Sequence, residues 1–161
     1  MLYDSASANT GYLAFLFAMN TAAVPERQLV LAQPRERSIM NLHLEMDGPH
    51  ALTTNEIDRV VTRTSAGNYA LGHYKGNGSK TFIVMYVGRA DSDLAGRLKD
   101  HVGEKYPLFK FSYATSPKAA FEKECKNYHD FGGSQKLDNK IHPDRPVGAH
   151  WKCPYCDKFE E

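Results

Sequence analysis

The sequence predicts a small α+β domain in which a three-stranded antiparallel sheet is flanked by helices. Two strand-like segments are joined by a turn rich in glycine and asparagine, and a third alternating segment follows them. Amphipathic helical patterns lie between and after these strands. With 161 residues, 42% hydrophobic and 24% charged, the chain has the size and composition of one ordinary globular domain.

The first part of the chain is poorly patterned. Prolines interrupt the pattern in residues 1–50. We expect this segment to form an N-terminal appendage. The domain proper is predicted to span residues 51–161, with the last part, 141–161, forming a C-terminal extension. The domain is expected to begin with a short helix, because Thr53 and Glu56 have the spacing of a capping box ahead of an apolar run.

A β-hairpin is predicted next. Residues 68–74 alternate in polarity, and residues 81–87 are β-branched and aromatic, as in a central strand. The turn at residues 75–79 includes two glycines and an asparagine, which tolerate positive φ. The two strands are therefore expected to pair antiparallel.

A helix should follow the hairpin. Asp91 and Ser92 are candidate N-caps, and Leu94, Leu98 and Val102 fall at positions i, i+4 and i+8. This spacing places the three apolar side chains on one face. The helix is therefore expected to pack this face against the sheet.

A third strand and a longer helix complete the domain. Residues 108–114 alternate aromatic and polar side chains. Ser116 is a candidate N-cap, and Pro117 suits the first helical position. The helix is expected to run to Phe131, because two glycines follow it. The predicted order of elements after the first short helix is ββαβα.

Two tripeptides at the hairpin carry a family resemblance. Tyr69 closes Gly67-Asn68-Tyr69, and Tyr86 opens Tyr86-Val87-Gly88 seventeen residues later. An arginine, a histidine, a carboxylate and an asparagine follow, at Arg97, His101, Glu124 and Asn139. Over residues 65–140 this pattern, and the ββαβα order, resemble the GIY-YIG nuclease domain. Asn68 departs from the family's apolar middle residue.

The resemblance implies a metal-dependent endonuclease that hydrolyses DNA phosphodiester bonds. Such chemistry needs an activated water and positive charge beside the phosphate. Tyr69 would activate the water, Tyr86 and Arg97 would hold the phosphate, and His101, four residues after Arg97, would support proton transfer. Arg89, directly after the second tripeptide, is expected to be a secondary phosphate contact.

Two carboxylates compete for the catalytic metal. Glu124 falls on the apolar face of its helix, where a carboxylate is costly without a partner, whereas Glu122 falls on the opposite face near Lys118 and Lys126. We expect Glu124 to bind Mg²⁺ or Mn²⁺, with Glu122 as the alternative. Asn139 matches the family's late asparagine, which orders the site.

The cysteines indicate a second metal. The chain ends in a CxxC pair, and a cysteine and a histidine lie one helical turn apart upstream. Zn²⁺ favours this combination in structural sites. The expected ligands are Cys125, His129, Cys153 and Cys156. His142 and His150 are rival ligands.

Composition limits partners and location. The net charge of +1 gives no global attraction to nucleic acid, although residues from 67 onward carry 15 Lys and Arg against 12 Asp and Glu. No apolar stretch is long enough to span a bilayer, and no basic region precedes the first one. Together with the few cysteines, this predicts a cytoplasmic protein without a membrane partner. No small-molecule cofactor is expected. DNA is the partner that the family resemblance implies.

Two other functions stay open. One is a nucleic-acid-binding module of the same fold that does not cut. The other is a protein-interaction adaptor whose zinc-stabilised surface is the working part. The complete set of tyrosine, arginine, histidine and glutamate favours the nuclease over the first. A missing basic cleft would favour the second.

Overall fold

Residues 43–159 are described by the structure, a computed structural model, and they belong to one compact unit. Most of the predicted appendage, residues 1–42, lies outside the described residues. Four strands are present: β1 (Asp47–Ala51), β2 (Gly67–Tyr74), β3 (Phe82–Ala90) and β4 (Leu108–Tyr113). The helices are α1 (Thr54–Val60), α2 (Leu94–Lys99) and α3 (Pro117–Asp130), and a 3₁₀ turn at Gly133–Gln135 follows α3.

The strands form a fully antiparallel sheet in the order β1-β4-β2-β3. The α+β class and the pairing of β2 with β3 are confirmed, whereas the prediction of three strands is wrong. The additional strand, β1, crosses the predicted domain boundary after residue 50. Its register is irregular between Asp47 and His50, around Pro49. Proline is tolerated in an edge strand at such an irregularity. Taking Pro49 as an interruption of regular structure therefore hid this strand in the sequence analysis.

The helix ends are set by local capping. The Thr53 hydroxyl accepts a hydrogen bond from the Glu56 N–H at 3.3 Å, as the capping box predicts. The N-cap of α2 is Asp93, not Asp91 or Ser92, and α2 ends at Lys99. Val102 therefore lies beyond the helix and is exposed.

Alternate residues of β2 face two separate apolar clusters. Tyr69 and Leu71 pack with residues of α1, α2 and β4, among them Ile57, Leu94 and Phe109. Ala70 lies in the other cluster, which includes residues of β3 and α3. The central strand is thus buried on both faces, and Tyr69 is held within one of them.

No helix within residues 43–159 is long and apolar enough to cross a membrane. The cytoplasmic location stays a prediction.

Candidate active site and metal centre

A cleft of about 240 Å³ opens along the β3 edge of the sheet. Its walls include five residues that the sequence singled out: Tyr69, Tyr86, Arg89, Arg97 and Glu124. Gly88, Asp91 and Asp144 complete the lining. Residues from β2, β3, α2, α3 and the C-terminal extension therefore meet at one place. The predicted role of each residue stays a prediction.

Tyr69 is almost completely buried, and its hydroxyl oxygen lies 2.8 Å from Nε2 of His101. His101 is also buried, in the turn after α2 rather than within that helix. Its other ring nitrogen, Nδ1, lies 3.1 Å from a carboxylate oxygen of Glu104. Burial raises the pKa of Tyr69, and the positive charge of nearby Arg97 opposes this shift. The phenol is therefore neutral until a base takes its proton.

Tyr86 and Arg97 form the more accessible side of the cleft. The ring of Tyr86 stacks beside Tyr69, with 6.3 Å between ring centroids. Burial and then the negative charge of Glu124 raise the pKa of Tyr86. Arg97 donates a hydrogen bond to Asp100 over 3.1 Å, with 45% of its side chain exposed. An exposed guanidinium at this position can bind an anion bidentately.

Glu124 is buried, whereas Glu122 is not, in agreement with the helical wheel. Oε2 of Glu124 accepts a hydrogen bond from Nη1 of Arg89 at 2.5 Å. Burial raises the pKa of Glu124 to about 7, although Arg89 acts to lower it. Glu122 lies at the surface, 3.8 Å from Lys118. The position of Glu124 suits a metal ligand, but a cation would have to share its carboxylate with Arg89.

Arg89 has two partners in the structure. Its Nε donates to Oδ1 of Asp91 at 2.8 Å, in addition to the bond to Glu124. Only 13% of the Arg89 side chain is exposed. The sequence predicted a phosphate contact for this residue. In the described structure it is the counter-ion of the buried carboxylate, and the phosphate contact stays a prediction.

Two asparagines hold the motif strands in place. Asn139 pairs with the backbone of Val87, accepting from its N–H at 3.0 Å and donating to its carbonyl at 2.8 Å. It thereby fixes β3 between Tyr86 and Gly88 without lining the cleft itself. Asn68 is fully buried, and its Nδ2 donates to the Ala120 carbonyl at 2.7 Å. This bond ties β2 to α3 one turn before Glu124, which explains a polar residue in the first motif.

A candidate metal centre lies at the C-terminal end of α3. Four ligand atoms lie within 4.8 Å of one another, from His129, His142, Cys153 and Cys156. Nε2 of His129 is 3.2 Å from Nε2 of His142 and 3.4 Å from Sγ of Cys153, and Sγ of Cys156 is 3.5 Å from Nε2 of His142. Tetrahedral Zn²⁺ places two nitrogen ligands about 3.3 Å apart, and a nitrogen and a sulfur about 3.6 Å apart. The cluster is compatible with structural zinc.

The ligand set differs from the expected one at one position. Cys125 is not in the cluster; it is fully buried and packs with Phe121 and Cys153. The rival ligand His142 takes its place, and His150 is not among the four residues. Spacing on α3 made Cys125 a reasonable expectation, but its side chain lies in the core beside the cluster. All three cysteines are free thiols.

Three residues near the cleft were missed by the sequence interpretation. Asp91 was treated as a helix cap, Glu104 drew no attention, and Asp144 lay in an extension with no assigned role. The spacing of His101 and Glu104, at i and i+3 across a glycine-containing turn, was a usable signal for Glu104. Asp144 has no such signal, because only folding brings the extension to the cleft.

Comparison with family models, curated proteins and solved structures found no match to the chain. The resemblance to the GIY-YIG family therefore depends on the motif residues and their placement in the fold.

Proposed function

We propose that this protein is a metal-dependent endonuclease that hydrolyses DNA phosphodiester bonds. The supporting observation is the cleft at the β3 edge, where Tyr69, Tyr86, Arg97 and Glu124 converge from four different elements. These residues are far apart in the sequence, and each has the chemistry that phosphoryl transfer to water requires.

Each side chain has a part in the proposed reaction. Arg97 binds the phosphate and balances the negative charge that grows on it. Tyr86, beside it, contacts a phosphate oxygen through its hydroxyl. Tyr69 orients the attacking water and accepts its proton as His101 takes the phenol proton. Val87, held by Asn139, keeps Tyr86 at a fixed position along the strand.

Glu124 would hold the catalytic cation, which the family resemblance gives as Mg²⁺ or Mn²⁺. The residues fit this ion in kind: Mg²⁺ is commonly bound through one or two carboxylates while keeping several waters. Glu124 supplies a buried carboxylate in the wall of a polar cleft. When bound, the ion supplies Lewis-acid polarisation of the phosphate. The Arg89 guanidinium and the Asp91 carboxylate then contribute opposite charges beside Glu124.

The second metal is proposed to be one structural Zn²⁺ bound by His129, His142, Cys153 and Cys156. Four protein ligands leave no open coordination position for a reacting water. The ligands join the end of α3 to the C-terminal extension, and this extension also carries Asp144 into the cleft wall. Zinc binding thus supports the shape of the active site.

One observation favours a second candidate, a nucleic-acid-binding module that does not cut. Arg89 neutralises Glu124 at 2.5 Å, and a cation must compete with it. If no cation displaces Arg89 from Glu124, the cleft can bind an anion at Arg97 but holds no metal. Cleavage assays distinguish the two candidates directly.

The test uses purified full-length protein with supercoiled plasmid, branched DNA and an RNA of matched length. Each substrate is incubated with Mg²⁺, with Mn²⁺ and without added divalent cation. The proposal predicts nicked or linear DNA products only when a divalent cation is added. DNA binding without cleavage under every metal condition would favour the second candidate. The absence of both binding and cleavage would contradict both candidates.

A further inference from the structure

His101 connects the Tyr69 hydroxyl to a carboxylate at the protein surface. Its Nε2 lies 2.8 Å from the Tyr69 oxygen, and its Nδ1 lies 3.1 Å from Oε2 of Glu104. The His101 side chain is 9% exposed, whereas that of Glu104 is 48% exposed. A carboxylate, an imidazole and a phenol thus form a continuous chain from solvent to the cleft.

The backbone keeps Glu104 at this position. Residues 101–104 form a turn in which the Glu104 N–H donates to the His101 carbonyl at 3.1 Å. Gly103 has a φ of 90°, which glycine adopts without a steric penalty. The turn's own hydrogen bond thus fixes the Glu104 backbone beside His101, and the Glu104 side chain makes the 3.1 Å contact to Nδ1 from there.

The chain fixes the direction of each hydrogen bond. A neutral imidazole has one donor and one acceptor nitrogen, and an ionised carboxylate can only accept. The bond to Glu104 therefore requires the proton on Nδ1 of His101. Nε2 is then the acceptor, and the hydroxyl of Tyr69 must donate to it. The opposite tautomer would leave Nδ1 and the carboxylate as two facing acceptors.

We propose that Glu104 is a positioning residue that fixes the Nδ1–H tautomer of His101 and thereby gives Tyr69 a proton acceptor on the side away from the cleft. The tautomer does not depend on the proposed function; the chemical consequence does. In the reaction, the water proton passes to the phenol oxygen while the phenol proton passes to Nε2. The water oxygen bonds to phosphorus as the bond from phosphorus to the leaving strand's oxygen breaks, and that oxygen takes a proton from solvent. Tyr69 is neutral again, and His101 becomes an imidazolium that faces Glu104 and later returns its proton to solvent.

This arrangement answers a chemical difficulty of the cleft. Burial raises the pKa of Tyr69, so its phenolate is harder to form than in water. An acceptor already hydrogen-bonded to the phenol avoids a free phenolate. The developing imidazolium is in turn stabilised by the Glu104 carboxylate, as a carboxylate does for histidine in hydrolase triads.

The test compares Glu104→Ala and Glu104→Gln with Glu122→Ala, which removes another surface carboxylate. Long-range ¹H–¹⁵N spectra report which nitrogen of His101 carries the proton, recorded about two units above the ordinary histidine pKa of about 6.5. Wild type and Glu122→Ala should show Nδ1–H. Glu104→Ala should shift the proton to Nε2, and Glu104→Gln should keep Nδ1–H because its amide oxygen still accepts.

Cleavage provides the second readout. Glu104→Ala should lower kcat by about 10- to 100-fold with KM unchanged, less than the full loss expected for a general base. An Nε2–H wild type, or an unchanged tautomer in Glu104→Ala, would overturn the proposal, as would a shifted tautomer with unaltered kcat. A tautomer shift in a protein that cuts no nucleic acid would support the positioning role and contradict the nuclease function instead.

Discussion

At the scale of single residues, Gly88 shows why the second motif ends in glycine. It is paired with Tyr69 across the β2–β3 ladder. A Cβ on residue 88 would lie 2.4 Å from both Cζ and the hydroxyl oxygen of Tyr69. The ring of Tyr69 therefore occupies the space that any other side chain would need. Close packing, rather than backbone conformation, imposes this glycine, since its φ is not positive.

Gly88→Ala should therefore displace Tyr69 and destabilise the domain. Overpacking of this kind costs about 1–3 kcal/mol in the free energy of unfolding. Gly76→Ala is the matched control, because nothing lies within 4 Å of a Cβ at that turn position; we expect a change within about 0.5 kcal/mol. Urea denaturation followed by far-UV circular dichroism measures both. Equal stabilities for the two variants would show that the Tyr69 ring is not where the structure places it.

At the scale of elements, β3 is an edge strand that the following chain covers. Its order in the sheet leaves one side without a strand partner. Asn139 pairs with the Val87 backbone on that side, and the Asp138 N–H donates to the Met85 carbonyl at 2.7 Å. Residues 138 and 139 thus replace a neighbouring strand beside the second motif. This also shields the edge from pairing with another chain.

Asn139→Ala should expose the Val87 amide, because Asn139 is its hydrogen-bond acceptor. Hydrogen–deuterium exchange at this amide should accelerate by roughly 5- to 12-fold, as expected from the loss of a bond worth about 1–1.5 kcal/mol. The Val61 amide, bonded to Ile57 in α1 at 2.8 Å, is the internal reference. Asn77→Ala, in the exposed hairpin turn, is the control variant. Unchanged protection at Val87 would mean that the late asparagine does not hold β3.

The sequence predicted those elements whose pattern is local. Alternation and β-branched residues identified β2, β3 and β4, and capping residues identified α1 and α3. β1 was missed because five residues containing proline carry no periodic signal. In the site, the order of the motifs along the chain was enough to select Tyr69, Arg97 and Glu124. The position of Asp144 in the cleft, and of His142 rather than Cys125 in the metal cluster, depend on how the C-terminal extension folds back. Residue spacing does not encode that path.

At the scale of the whole described unit, the candidate zinc centre joins α3 to the C-terminal extension. His129 comes from α3, His142 and the CxxC pair come from the extension, and Asp144 from the same extension lines the cleft. The candidate metal centre and the cleft therefore share one segment. Loss of zinc should release this segment and disturb the cleft.

The ligand set can be tested by metal content. Purified wild type should contain about one equivalent of zinc, and Cys153→Ser and His142→Ala should each lose most of it and melt at a lower temperature. Cys125→Ala and His150→Ala are the controls, and both should keep zinc because neither residue is in the cluster. Elemental analysis and thermal melts give the two readouts. Zinc lost from Cys125→Ala but kept in His142→Ala would restore the three-cysteine site.

The most direct test of the central claim is the rate of plasmid nicking in Mg²⁺ by wild type, Glu124→Gln and Glu122→Gln. The amide keeps the shape of Glu124 and removes its charge, and Glu122 provides the same change on the opposite side of α3. We expect wild type and Glu122→Gln to nick at similar rates, and Glu124→Gln to lose metal-dependent activity while still binding DNA. Full activity in Glu124→Gln, or its loss in Glu122→Gln, would contradict the assignment of the catalytic carboxylate. No nicking by wild type would contradict the nuclease function itself.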